Sequence, residues 1–289
     1  MAEKVIGVIG GSGLYEMEGL TDVEEVSVET PFGEPSDSYI TGMLGDVKMV
    51  FLPRHGRGHR LLPTEVNYRA NIYGMKKLGV EWIISVSAVG SMKEDIEPGH
   101  IVIVDQFYDR TRLRPNTFFG SGVVGHIEFA DPVCPTLSDV LYAAAIKSNA
   151  TVHKGGTYVC IEGPQFSTRA ESNVYRSWGV DVIGMTNIPE AKLAREAEIC
   201  YATVALATDY DCWHTTEESV TVEAILETLK KNVKMAKKII SHAAPDVSPE
   251  RECHCPEALK YAILTDRSTI SDETAKDLDL IMGKYLRKA

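Results

Sequence analysis

Lys4-Val-Ile-Gly-Val-Ile-Gly-Gly-Ser-Gly13 is an apolar, β-branched run that breaks into glycines. Such residues favour a buried strand, and the glycines permit a sharp exit from it. The same event recurs along the chain. A strand expected at 47–52 runs into Pro53-Arg54-His55, and one at 82–86 runs into Ser87-Ala88-Val89-Gly90-Ser91. Strands at 156–160, 182–185 and 199–208 end in Ile161-Glu-Gly-Pro-Gln-Phe-Ser167, Thr186-Asn187 and Asp209-Tyr-Asp-Cys-Trp213. Shorter strands are expected at 26–29, 38–41 and 101–104. Between them lie helical patterns at 64–78, 137–147, 168–178 and 221–242. Thr64 and Asn187 are candidate N-caps, and Thr168 with Glu171 forms a capping-box pattern. Strands alternating with helices imply an α/β fold: a single domain with a central mixed β-sheet flanked by helices. Residues 1–243 make this domain. Residues 244–289 form a polar connector and a terminal helix at 272–286 that packs on it. In such sheets, ligands sit at the carboxyl ends of strands, where the polar motifs fall.

The composition narrows the function. The 289 residues are 44% hydrophobic and 25% charged, an ordinary globular mix. Lys and Arg number 30 against 41 Asp and Glu, a net charge of −11, so the overall field opposes nucleic acid. No apolar run approaches the roughly 18 residues that suggest a membrane span. The first eleven residues lack a signal-peptide core, so a cytoplasmic protein is expected. Six cysteines are too few for a disulfide scaffold. Cys134, Cys160, Cys200 and Cys212 read as buried small hydrophobes.

Several motifs carry chemistry. Gly11-Ser12-Gly13-Leu14-Tyr15-Glu16 lacks the third glycine of a dinucleotide fingerprint and the lysine of a P-loop, so it suits a smaller anion. Arg54-His55-Gly56-Arg57-Gly58-His59-Arg60 offers planar guanidinium forks to a phosphate. Ser87 and Thr186, each just after an expected strand, add hydroxyls. Asp209 and Asp211 are two residues apart after an apolar strand. If both face one pocket, repulsion and burial raise one pKa, leaving an acid able to donate to a heterocyclic nitrogen. Phe166 suits stacking on a flat ring, or a place in the core.

As an ordered set, these motifs resemble the 5′-methylthioadenosine phosphorylases of the trimeric purine nucleoside phosphorylase family. The match runs from Val5 to about Lys238. It includes Thr30-Pro-Phe-Gly-Glu-Pro-Ser-Asp, Arg54-His-Gly-Arg, Asn67-Tyr-Arg-Ala-Asn, Ile161-Glu-Gly-Pro-Gln-Phe-Ser and Ala207-Thr-Asp-Tyr-Asp-Cys-Trp. The resemblance implies a glycosyltransferase in which inorganic phosphate attacks the anomeric carbon of 5′-deoxy-5′-methylthioadenosine. Adenine and 5-methylthioribose 1-phosphate are released, in purine and methionine salvage. It assigns phosphate to Ser12, Arg54, His55, Ser87, Ala88 and Thr186, and ribose contact to Met185. Phe166, Ser167, Asp209, Tyr210 and Asp211 fall at the purine, with Asp209 as the acid at N7. Val222, Ile225 and Leu226 form the wall around the methylthio group, and His126 comes from a neighbouring subunit of a trimer or a dimer of trimers. Phosphate is a co-substrate, and neither a metal nor an organic cofactor is required.

The C-terminal part departs from many relatives in Cys253-His254-Cys255, a tail like those of some heat-adapted members. No further metal ligand with suitable spacing lies near it in sequence, so the pair reads as a disulfide partner or as free thiols. A phosphorylase preferring 6-oxopurines or methylthioinosine is the alternative enzyme, but an oxo group needs a donor where this chain has Asp209 and Asp211. A non-catalytic purine binder would not need Arg54, Ser87 and Thr186 around an anion.

Overall fold

The structure is a computed structural model. It describes the backbone of residues 4–11, 13–214 and 222–287, and the side chains of all of these except 222–226. Ser12 and the side chains of Val222, Ile225 and Leu226 therefore lie outside the described residues. The strands are β1 (Val5–Gly10), β2 (Leu20–Val26), β3 (Tyr39–Leu44), β4 (Val47–Pro53), β5 (Trp82–Ser91), β6 (Ile101–Val104), β7 (Gln106–Arg110), β8 (Val152–Lys154), β9 (Thr157–Ile161), β10 (Val182–Gly184) and β11 (Cys200–Tyr210). The helices are α1 (Tyr68–Lys77), α2 (Pro135–Lys147), α3 (Arg169–Ser177), α4 (Asn187–Glu196), α5 (Val222–Asp246), α6 (Asp272–Asp277) and α7 (Asp279–Leu286).

Because side chains alternate along a strand, each apolar strand feeds two cores. Val5 and Ile9 of β1 join the face covered by Ile72 of α1, Ala191 of α4 and Met282 of α7. Ile6 and Val8 join the opposite face, covered by Leu141 of α2 and Ile240 of α5. Leu259, Leu278 and Ile281 share the first core with β1.

The sheet order is β2-β3-β4-β1-β5-β10-β9-β7, with β11 pairing β5 and β6, and β6 pairing β8. β5 is the pivot. On one edge it pairs with β11 from Trp82 to Ser91. On the other it pairs with β1 only as far as Ser85, and with β10 only at Gly90 and Ser91. On that second edge, between β1 and β10, residues 86–89 face no strand among the described residues. The sheet splits there, and the split makes room for a ligand.

Several boundaries differ from the sequence reading. Ser87-Ala-Val-Gly-Ser91 lies within β5 because β11 continues alongside it. The first edge strand is 20–26, not 26–29. α1 starts at Tyr68, since the Asn67 side chain caps it by accepting from Ala70 N, and Thr64 falls in the preceding turn. Asn187 caps nothing: its Nδ2 donates to Tyr201 Oη and Thr203 Oγ1, Thr186 takes the N-cap position, and the backbone bends at Ile188. The terminal helix is two short ones meeting at Leu278. The Thr168–Glu171 capping box is present.

Candidate active site

A cleft of about 510 Å³ opens at the split beside β5. It is lined by Arg54, His55, Ser87, Ala88, Phe166, Ser167, Met185, Thr186, Asp209 and Asp211, all proposed from sequence. Strand ends from β4, β5, β9, β10 and β11 converge on it.

Arg54 follows Pro53, the last residue of β4, and is 2% exposed. Its guanidinium is not a free fork. Nε donates to Glu190 Oε2 at 2.7 Å, and Nη2 donates to Glu190 Oε1 at 2.9 Å and to Ser85 Oγ at 2.8 Å. Nη1 donates to Val86 O at 3.0 Å, which leaves its second hydrogen for the cleft. Glu190 also accepts from Ser85 Oγ and Tyr201 Oη, so this buried carboxylate is fully hydrogen-bonded. Burial works against the Arg54 charge, but Glu190 more than offsets it and raises the pKa. The expected bidentate phosphate grip is therefore corrected: a buried ion pair holds Arg54 rigid, and it presents one N–H.

The rest of the basic motif divides. Arg57 turns outward to Glu25 and Asp37 at 2.6 and 2.7 Å. Arg60 and His59 line the cleft mouth, and Arg60 Nη2 donates to Ser36 O. Gly56, at φ +70°, keeps this turn tight, and a Cβ there would lie 2.9 Å from Arg60 Nε. His55 Nδ1 lies 2.9 Å from Leu61 O, which can only accept, so Nδ1 carries the proton. Burial, aided by the Arg54 charge, pushes the His55 pKa down to about 4. The ring is neutral near pH 7, with Nε2 as an acceptor.

Ser87 Oγ lies 2.9 Å from Thr186 Oγ1 and 3.1 Å from Tyr158 Oη, so three hydroxyls form one cluster. Tyr158 was not expected here. It fits because residue 184 is glycine; a Cβ there would lie 2.0 Å from the phenol oxygen. Ala88 is exposed beside this cluster, within β5.

The carboxylate pair is placed by a register shift between β11 and β5 at Ala207/Asp209. Asp209 pairs with Gly90 after the shift, and Thr208 Oγ1 donates to Asp209 Oδ2 at 2.6 Å. A Cβ on Gly90 would lie 3.2 Å from Asp209 Oδ1 and 3.4 Å from Asp211 Cβ, so both acids crowd this glycine. Tyr210, between them, faces the other way. Its hydroxyl donates to Glu94 O at 3.1 Å, and its ring stacks on His214. The expectation that Tyr210 lines the site is corrected by strand alternation.

Phe166 is 77% exposed, which removes the core reading and leaves a ring face at the cleft. Ser167 lines the cleft, and its Oγ is buried with no hydrogen-bond partner among the described residues. Met185 packs over Gly163, and its carbonyl accepts from Arg114 Nη1 at 2.7 Å. Arg114 is a second residue the sequence did not reveal. Its side chain is fully buried and also donates to Ile188 O at 2.7 Å and Glu162 O at 2.7 Å, tying the 161–167 and 185–188 segments together. On α5, Leu229 and Val233 line the cleft. In the sequence they fall at helical spacing from Val222, Ile225 and Leu226, whose side chains lie outside the described residues. His126 is exposed and lies outside this cleft, its N–H donating to Ala262 O.

Known proteins share this chain's sequence and shape. The model of the Phosphorylase superfamily matches residues 5–245, a span that holds every cleft residue named above. The S-methyl-5′-thioadenosine phosphorylase of Geobacter sulfurreducens is 70% identical over 98% of this chain and 100% of its own length. A methylthioadenosine phosphorylase from an antarctic soil metagenomic library has a crystal structure that superposes with a TM-score of 0.93. It is 49% identical and covers 97% of this chain and 99% of its own. A variant adenosine/methylthioadenosine phosphorylase of Schistosoma mansoni, solved with methylthioadenosine, superposes at 0.80 and is 38% identical over 89% of this chain and 96% of its own. With a family match from β1 to the last turn of α5 and relatives aligned end to end, this chain belongs to the phosphorylase superfamily.

Proposed function

We propose that the chain catalyses the reversible phosphorolysis of 5′-deoxy-5′-methylthioadenosine to adenine and 5-methylthioribose 1-phosphate. One observation carries the reading: a single cleft along β5 holds an anion-binding hydroxyl cluster at Ser87 and a carboxylate pair at Gly90. Three residue steps along β5 separate them, about 10 Å, which leaves room for a sugar between. The relatives' names and the substrate in the Schistosoma structure support the choice of nucleoside.

Ser87, Thr186, the Ala88 backbone, the remaining Arg54 N–H and Ser12 hold phosphate. His55 Nε2 accepts a hydrogen bond from the P–OH of monohydrogen phosphate, since the neutral ring has no N–H to offer there. Phosphate attacks the anomeric carbon as the bond to N9 breaks and its electrons pass to the purine. Asp209, protonated, delivers its proton to N7, and Asp211 accepts from the 6-amino group. General acid assistance of this kind is typically worth ~10²–10⁴-fold. Phe166 packs on the purine, and Ser167 meets its edge. The stripe from Val222 through Ile225 and Leu226 to Leu229 and Val233 receives the methylthio group.

The reaction routes no step through a metal or organic cofactor. A homotrimer, or a dimer of trimers, would let His126 reach a neighbour's site. No helix among the described residues is long and apolar enough to cross a membrane. We place the enzyme in the cytoplasm, acting on small molecules and not on nucleic acid. The test is product analysis with methylthioadenosine and phosphate: adenine and the sugar phosphate should appear one for one. Free methylthioribose in place of its phosphate would mean hydrolysis.

A further inference from the structure

Cys134, Cys200, Cys253 and Cys255 are scattered along the chain, yet their four Sγ atoms lie within 4.8 Å of one another. Cys200 opens β11, Cys134 is the N-cap residue of α2, and Cys253 and Cys255 lie in the connector that follows α5. Cys134 N donates to Tyr201 O at 2.8 Å, which fixes the start of α2 against β11. The sequence reading found no further ligand beside Cys253 and Cys255 because the thiol of Cys200, 3.4 Å from that of Cys253, is 53 residues away in sequence. The fold supplies what the spacing lacked.

The geometry suits one kind of occupant. Zinc–thiolate bonds of about 2.3 Å in a tetrahedron put the sulfurs about 3.8 Å apart. Cys200 Sγ and Cys253 Sγ are 3.4 Å apart, and no pair in the cluster exceeds 4.8 Å. Three of the four cysteines are buried and the fourth is half-buried. Four thiolates fill every position of a tetrahedral ion, so the site is closed to water and substrate, as structural zinc sites are. Cys134 makes no side-chain capping bond, so its sulfur stands at the positive end of a 13-residue helix, which favours the thiolate a metal needs.

We propose that Cys134, Cys200, Cys253 and Cys255 form a closed tetrathiolate site that binds one zinc ion and anchors the C-terminal connector to the start of β11. The site is nine residues upstream of Asp209 on the same strand, about 30 Å from that carboxylate. Its ion touches no substrate. It cross-links four segments, so its loss acts on stability and leaves the chemistry alone.

The full-length protein, purified in reductant without chelator, is tested by elemental analysis and by titration with an organomercurial. The expected result is one zinc per chain, released only as the thiols are modified. Exchange for cobalt should give the intense visible bands of a tetrahedral thiolate complex. The Cys253→Ser/Cys255→Ser variant should lose the zinc and unfold at lower temperature, with kcat/KM unchanged. If that variant does not fold, zinc content and the cobalt spectrum of the unaltered protein decide the matter. Zinc-free protein with free thiols would overturn the proposal. So would a mass two hydrogens lighter for each disulfide formed, or zinc retained in the double variant.

Discussion

β11 ends in two different clusters. At its carboxyl end, Asp209 and Asp211 stand at a register shift and face a cleft that β5 leaves open. At its start, Cys200 meets three other sulfurs in a packed interior. The first cluster has room for a substrate on one side. The second is completed by protein atoms all round. A reactive site needs an unfilled position, whereas a closed one can only hold segments together. The same strand thus carries catalysis at one end and anchorage at the other, and the two ends should fail in different ways.

The largest effect belongs to the open end. Asp209→Asn keeps a hydrogen-bond donor but cannot release a proton. It should lower kcat by ~10²–10⁴-fold on methylthioadenosine, and by less on nucleosides with better leaving bases. Zinc content should not change. Equal losses across leaving groups would remove Asp209 as the acid.

Next is Gly90→Ala. The new Cβ would meet Ile183 Cγ2 at 3.1 Å and Asp209 Oδ1 at 3.2 Å, so the carboxylates must shift. A displacement of this size near the reacting atoms costs about 10- to 10²-fold in kcat/KM, with little change in melting temperature. A wild-type rate with a lowered melting temperature would mean that Gly90 serves packing alone.

These contrasts follow what could be read from the residues. Asp209 and Asp211 are legible because their relation is local: two residues along a strand put both on one face, and Tyr210 is turned away by the same rule. Arg54 was legible as a cation near an anion site, but not as half of a buried ion pair. Its partner Glu190 is 136 residues away, in the first turn of α4. Arg114 sits in a long irregular segment with no pattern to single it out, and its partners are carbonyls, the Glu162 carboxylate and the Tyr68 hydroxyl, all brought near by folding. Tyr158 depends on a glycine in a neighbouring strand. The cysteines show the same limit: Cys134 and Cys200 each read as a small buried hydrophobe, and Cys253 and Cys255 as a disulfide partner or free thiols. The alternation of strands and helices was legible, whereas the strand order and the split beside β5 between β1 and β10 were not.

The closed end is tested by heat. Removing both connector thiols by Cys253→Ser/Cys255→Ser should lower the melting temperature by roughly 5–10 °C. Calorimetry with and without added zinc checks this, and an unchanged midpoint would mean that the cluster anchors nothing.

The smallest effect concerns His55. Its pKa is about 4 in the folded protein against an ordinary 6.5. Between those values the unfolded chain binds a proton that the folded chain refuses. Stability due to this group is therefore full above about pH 6.5 and is lost as pH falls toward 4. His55→Gln should flatten the pH dependence of the unfolding midpoint in that window. His153, also lowered chiefly by burial, keeps its own share. An unchanged slope would mean that His55 titrates as an exposed histidine does.

The account rests on phosphate being the nucleophile in the open cleft. The most direct measurement is the initial rate of adenine release from methylthioadenosine as phosphate is titrated from zero. The rate should rise from baseline and saturate as phosphate fills the Ser87–Thr186 site. Release at the plateau rate with no phosphate present would show that water is the attacking group and would contradict the account.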